Sequence, residues 1–137
     1  MMKTHAGVAA FRRTRADHQG ELAADYVELI AELIEEKGEA RASEMAQRLG
    51  VSNATVTKTL KRLQDEKLIA QEPYRAIFLT AEGKRLASEG RRRHRIVVDF
   101  LIRLGVPLEV ARIDAEGIEH HVSDETLAAM TRFLSRA

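Results

Sequence analysis

Apolar residues recur along most of the chain with helical spacing and along one short stretch with strand-like brevity. Leu22, Tyr26, Leu29, Ile30 and Leu33 form one stripe, which predicts an amphipathic helix over about residues 18–37, with Gly38 as its stop. Met45, Ala46 and Leu49 predict a short helix over 42–49, broken by Gly50-Val51-Ser52. Ser52 is placed to cap a following helix over 53–66, whose inward side is Val56, Leu60 and Leu63. Leu68-Ile69-Ala70-Gln71 and Ala76-Ile77-Phe78-Leu79-Thr80 flank Glu72-Pro73-Tyr74-Arg75 and read as two short strands around a turn. Thr80 caps a long helix over 81–104, with Leu86, Ile96, Val97, Phe100 and Leu101 as packing residues. Gly105-Val106-Pro107 ends it, a helix over 108–121 follows, and Ser123 caps a last helix over 124–135 that carries Leu127, Met130, Phe133 and Leu134. Residues 1–18 show no sustained period and read as a mobile arm.

The fold class is therefore mostly α. Two helices joined by a tight Gly-containing turn and followed by a strand hairpin are the marks of a winged helix-turn-helix. Ser52, Asn53, Ala54, Thr55 and Thr57 lie near the start of the second helix, where small polar side chains approach base edges. Lys58, Lys61 and Arg62 lie farther along, and Arg75 sits at the tip of the wing, all suited to phosphate. A helical hairpin with a charged, solvated face has the same pattern. The basic residues of 1–18 would serve either as a phosphate-touching arm or as a solubilising tail.

Composition narrows these options. At 137 residues with 45% hydrophobic content, the chain suffices for one ordinary domain or two small ones. It contains no cysteine, which excludes disulfides, thiolate catalysis and a cysteine-ligated zinc site. No apolar run approaches a membrane span, so a cytoplasmic protein with no membrane partner is expected. The net charge of +1 conceals segregation. Basic residues gather at Lys3, Arg12, Arg13 and Arg15, at Lys58, Lys61 and Arg62, and at Arg91, Arg92, Arg93 and Arg95; acidic ones gather at 21–39 and 114–124. A near-neutral chain can thus carry a nucleic-acid footprint on one surface. Aromatic residues make up only 4%, which argues against single-strand binding by base stacking.

Candidate chemistry concentrates in Asp114-Ala115-Glu116-Gly117-Ile118-Glu119-His120-His121. On a helix, Glu116, Glu119 and His120 stand at i, i+3 and i+4 and reach one point, where two carboxylates and an imidazole can hold a divalent ion. Val110, Ile113, Ile118 and Val122 spread over the opposite side, with His121 among them. The same three residues would also serve as a plain solvated face. Asp25 and Glu28 flank the first helix's stripe, and His94 stands amid four arginines; each is a metal donor by type and a surface residue by default.

Several motifs together resemble the diphtheria-toxin-repressor (DtxR) family, and within it the manganese-responsive regulators. They are Asp25-Tyr26-Val27-Glu28, Val51-Ser52 with Thr55-Val56-Thr57-Lys58, the wing into Phe78-Leu79-Thr80-Ala81-Glu82-Gly83, His94, and the 114–121 run. The resemblance covers about residues 20–135. It implies a winged helix-turn-helix domain over 19–83 and a helical metal-binding and dimerisation domain over 84–137, preceded by the basic arm of 1–18. It further implies the metal ligands Asp25, Glu28, His94, Glu116, Glu119 and His120. These would hold two Mn²⁺ ions per subunit, with Glu116 and Glu119 bridging. An acid at the Asp25 position accompanies manganese response in that family, where iron-responsive members have methionine.

The implied partner is a palindromic operator in double-stranded DNA, bound by a homodimer. Pairing with a second copy also agrees with helices too short to form a core alone. The implied function is a manganese-responsive repressor of manganese homeostasis genes. The alternatives are a winged-helix regulator sensing Fe²⁺, Zn²⁺ or an organic ligand, and a carboxylate-bridged dimetal enzyme. Paired Glu-x-x-His motifs are expected of the enzyme, yet Gly117 stands three before His120 and Arg91 three before His94.

Overall fold

The computed structural model describes residues 2–71 and 76–136, with the backbone alone for residues 2–7 and 9–19. In order the elements are α1 (Met2–Lys37), α2 (Ala42–Leu49), α3 (Asn53–Asp65), β1 (Ile69–Gln71), β2 (Ile77–Leu79), α4 (Ala81–Arg103), α5 (Leu108–Ile118) and α6 (Asp124–Ser135). The backbone is helical well before residue 18, where periodicity alone would start α1. Ala, Arg and Gln extend a nucleated helix without needing an apolar stripe, and no proline interrupts them. Two compact units result, one of residues 1–22 with 90–137 and one of residues 23–89.

In the 23–89 unit, the α1 stripe buries Tyr26, Val27, Leu29, Ile30 and Leu33. Of the residues expected inward on α2 and α3, Met45, Val56 and Leu63 are fully buried, Leu60 is 2% and Ala46 7% exposed, and Leu49 is half-buried. Gly38 and Gly50 end α1 and α2 at φ +83° and +68°, a region that costs glycine nothing sterically. The amides of Gly50 and Val51 both donate to the Ala46 carbonyl. Ser52 Oγ accepts from the Thr55 amide at 3.1 Å, which caps α3. Ion pairs of Glu36 with Arg48 and of Lys37 with Glu44 link the end of α1 to α2.

β1 and β2 pair antiparallel, with Ile69 opposite Leu79 and Gln71 opposite Ile77. The Ile77 amide also donates to Ala40 at 2.9 Å, so the segment after α1 joins the sheet through a single bridge. Thr80 Oγ1 accepts from the Gly83 amide at 3.1 Å and donates to the Lys67 carbonyl at 2.7 Å, capping α4 and tying it to the entry of β1.

In the other unit, Val97, Val98, Ala111, Ala115 and Leu127 form a small core. Ile96, Leu101, Val106, Ile118, Val122 and Met130 pack against it. Phe100 meets Phe133 edge-on at 5.4 Å. α5 turns its small residues inward: Ala111 and Ala115 are fully buried, while Val110 is 46% and Ile113 is 73% exposed. Ile102, Leu104 and Leu108 are exposed as well. Among the described residues, no helix is long and apolar enough to cross a membrane.

Gly83 has a steric reason to be glycine. A Cβ there would stand 2.1 Å from the Leu68 carbonyl oxygen and 3.2 Å from Leu79 Cδ2. The first of these is backbone and cannot swing away. Gly83→Ala is therefore expected to destabilise the protein by about 1–3 kcal/mol, the usual range for overpacking, and to lower Tm by several degrees in a thermal melt. An unchanged Tm would mean that α4 does not depend on this close approach.

Candidate metal centre

α5 ends at Ile118, three residues short of the helix expected from periodicity. The Glu119 amide still bonds to Ala115 at 2.9 Å, but those of His120 and His121 turn back to Gly117 and Ile118 at 3.4 and 3.0 Å. Bonds to the third residue back tighten the turn and change the angles at which the last side chains leave the axis. His121, expected among apolar neighbours, is exposed, whereas the His120 side chain is 7% exposed.

Ala111, Ala115 and Glu119 share one face, each four residues from the next. The two alanines let α5 approach its neighbours closely, and the same face carries Glu119 inward, where its side chain is 2% exposed. Its two oxygens face different imidazoles: Oε2 lies 2.7 Å from His94 Nδ1 and Oε1 lies 3.4 Å from His120 Nε2. Glu116 Oε1 stands 3.4 Å from His94 Nδ1, and the Glu116 side chain is 64% exposed. His94, Glu116 and Glu119 each offer a ligand atom within 4.8 Å of the other two. Two carboxylates and an imidazole at that spacing fit a divalent cation, and the one exposed acid leaves the group open to solvent.

The site residue that sequence reasoning missed is Arg93. Its Nε and Nη2 donate to the Glu119 carbonyl at 3.0 and 2.8 Å, Nη2 donates to the Val122 carbonyl at 2.6 Å, and Nη1 donates to Asp124 at 3.3 Å. A guanidinium thus occupies the C-terminal end of α5, where carbonyls lack helical partners and the helix dipole favours a cation. In the sequence Arg93 is one of four arginines counted as a basic patch. Its place next to His94 does not distinguish it, since Arg95 adjoins His94 as well; in the structure Arg93 is half-buried while Arg91, Arg92 and Arg95 are exposed.

The remaining expected residues sit as follows. Asp25 and Glu28 are half-buried on α1, in the 23–89 unit, and each has a polar or electrostatic partner there or elsewhere. On α3 and its cap, Ser52, Asn53, Ala54, Thr55, Thr57, Lys58 and Lys61 are exposed, opposite Val56 and Leu60. Arg62 is half-buried and pairs with Glu66 at 3.4 Å, one helical turn on. Arg75 lies outside the described residues.

Comparison with known proteins gives these elements a context. Residues 20–77 match the iron dependent repressor N-terminal DNA binding domain, and residues 80–137 match the iron dependent repressor metal binding and dimerisation domain. The transcriptional regulator MntR of Escherichia coli O157:H7 is 57% identical over 129 residues, 94% of this chain and 83% of its own length. The HTH-type transcriptional regulator MntR of Bacillus subtilis (strain 168) is 42% identical over 99 residues, 72% of this chain and 70% of its own. A solved structure described as a manganese-dependent transcriptional repressor complex with manganese superposes with a TM-score of 0.73 at 32% identity, covering 82% of this chain and 52% of the other. The chain thus spans about half the length of that structure.

The clasp on the Glu119 carbonyl yields a prediction about metal affinity. Arg93→Ala removes the donors that hold the end of α5 beside α4, while His94, Glu116 and Glu119 remain. Outer groups that orient ligands are typically worth 10- to 100-fold in affinity, so calorimetric titration with Mn²⁺ should show a loss of about that size. Unaltered affinity in a folded Arg93→Ala protein would show that α5 is positioned without the clasp.

Proposed function

The chain belongs to the iron-dependent repressor family, and from that premise we propose that it is a manganese-responsive repressor of manganese homeostasis genes. The observation that carries this reading is the buried Glu119 carboxylate, which presents one oxygen to His94 and the other to His120. A carboxylate so enclosed is costly unless compensated, and two imidazoles on its two oxygens suit a bridge between two ions. The family is one of regulators, so the reading as a dimetal enzyme falls.

The proposed ligands are Asp25, Glu28, His94, Glu116, Glu119 and His120, holding two Mn²⁺ ions per subunit. Four carboxylates and two imidazoles without a thiolate favour a hard or borderline ion. A bound divalent ion supplies positive charge that offsets the mutual repulsion of these acids. Zn²⁺ ranks above Mn²⁺ in general affinity, so the preference for Mn²⁺ rests on ligand geometry and on supply. When the acids are neutralised, Asp25 and Glu28 anchor α1 to the module that carries His94 and Glu119. That anchoring fixes where each subunit presents α3.

The exposed apolar residues Ile102, Leu104, Leu108, Val110 and Ile113 are covered by a second copy in this reading, giving a twofold dimer. Two α3 helices then meet successive major grooves of a palindromic duplex, about 34 Å apart or a multiple of that. Ser52, Asn53, Ala54, Thr55 and Thr57 approach base edges, and Lys58, Lys61, Arg62 and Arg75 take phosphates.

Two measurements test the proposal, both on an operator duplex selected from a random pool. First, Mn²⁺ restored after chelation should tighten binding by about 5- to 150-fold, a coupling of roughly 1–3 kcal/mol. The Glu116→Ala, Glu119→Ala protein should bind weakly with or without the ion. Equal binding in all four cases would favour a regulator that senses an organic ligand, and a stronger response to Fe²⁺ or Zn²⁺ than to Mn²⁺ would reassign the metal. Second, Lys61→Ala should weaken binding at every sequence alike and reduce the slope of log K against log salt by about 0.9 per lost phosphate contact. A change in sequence preference with the slope intact would place Lys61 at a base instead.

A further inference from the structure

We infer that Glu21, which the ligand set above does not include, is a further carboxylate ligand of the metal centre, serving the ion nearer His120. The inference rests on the metal-sensor reading and adds a donor to it. Glu21 belongs to the same compact unit as His94, Glu116, Glu119 and His120. A carboxylate oxygen of Glu21 and a ring nitrogen of His120 lie within 4.8 Å of each other. Two ligands of one ion, each about 2.0–2.6 Å from the metal, stand within a similar distance of each other.

The surroundings favour ligation over a solvated acid. The His120 side chain is 7% exposed, with Glu119 Oε1 at 3.4 Å from Nε2. The Glu21 side chain is 29% exposed, and its Oε2 stands 3.6 Å from His121 Nε2. Glu21 therefore approaches both histidines of the turn that follows α5. His94, Glu116 and one oxygen of Glu119 form one donor group. Glu119 Oε1 and Glu21 both stand near His120, so Glu119 is the member that links that histidine to the first group. A hard divalent ion prefers oxygen donors, and Glu21 supplies one beside the His120 ring nitrogen. His121 beside the Glu21 carboxylate supplies the outer contact that metal-bound acids commonly have.

The test is calorimetric Mn²⁺ titration of the full-length protein and of Glu21→Gln, Glu32→Gln and Glu119→Gln, with far-UV circular dichroism to verify folding. Glu32 is an exposed acid on the same helix and controls for charge alone. Glu21→Gln should weaken one of the two binding steps at least tenfold and leave the other within about twofold, while Glu32→Gln matches the parent. Glu119→Gln should weaken both steps, because it is the shared ligand. If Glu21→Gln titrates like the parent while Glu119→Gln loses binding, or if it weakens both steps equally, the inference is overturned and the metal centre stands. If Glu119→Gln also titrates like the parent, the reading of the centre itself fails. A Glu21→Asp protein that recovers part of the weakened step would identify the carboxylate as the group responsible.

Discussion

A carboxylate with 2% of its side chain exposed is the constraint around which this structure is arranged. Burying the Glu119 charge without compensation would cost several kcal/mol. The fold answers with His94 on one oxygen and His120 on the other, and with Arg93 holding the Glu119 main-chain carbonyl from behind. Each of these partners depends on the others. Arg93 and His94 are adjacent on α4, so the residue that secures the end of α5 and the residue that meets its acid move as one. Glu119 and His120 are adjacent on the turn, so fixing one carbonyl fixes both donors.

Close approach of α5 makes that arrangement possible. Ala111 and Ala115 remove bulk from the face that carries Glu119 inward, and the price is a thin core, with Val97, Val98 and Leu127 supplying its larger members. The larger apolar residues of the same region, Leu108, Val110 and Ile113 on α5 and Leu104 before it, stand on the surface instead. Large apolar residues exposed over so short a segment suit an interface with a partner subunit. The small-residue face and the large-residue face of α5 thus have separate tasks, one toward the acid cluster and one toward a partner subunit in the proposed dimer.

The 23–89 unit is built on backbone geometry as much as on burial. Gly50 lets α2 stop within one residue, Ser52 starts α3, and Gly83 allows α4 to begin against the carbonyl of Leu68. These three positions set where α2 ends and where α3 and α4 begin. The outward side of α3 is left polar and basic, with Lys58 and Lys61 unobstructed on the surface.

The sequence by itself determined the element order, the inward residues of α2 and α3, the caps at Ser52, Thr80 and Ser123, and the outward side of α3. Each follows from near-neighbour spacing, from the conformational preference of a single residue, or from a side chain bonding an amide three positions away. It also singled out Glu116, Glu119, His120 and His94 as donors, through residue type and, for the set as a whole, through family resemblance. Only the tertiary structure decided that Glu119 is buried while Glu116 is largely exposed, since both sit at equivalent spacing on paper. It alone ended α5 at Ile118, turned His121 outward, and separated Arg93 from three neighbouring arginines identical in composition. It also exposed Ile113 while burying Ala111 and Ala115, against a hydrophobic ranking that would reverse them. These outcomes depend on contacts some 25 residues apart along the chain, from His94 to Glu119, and periodicity along one helix carries no information about what packs against it.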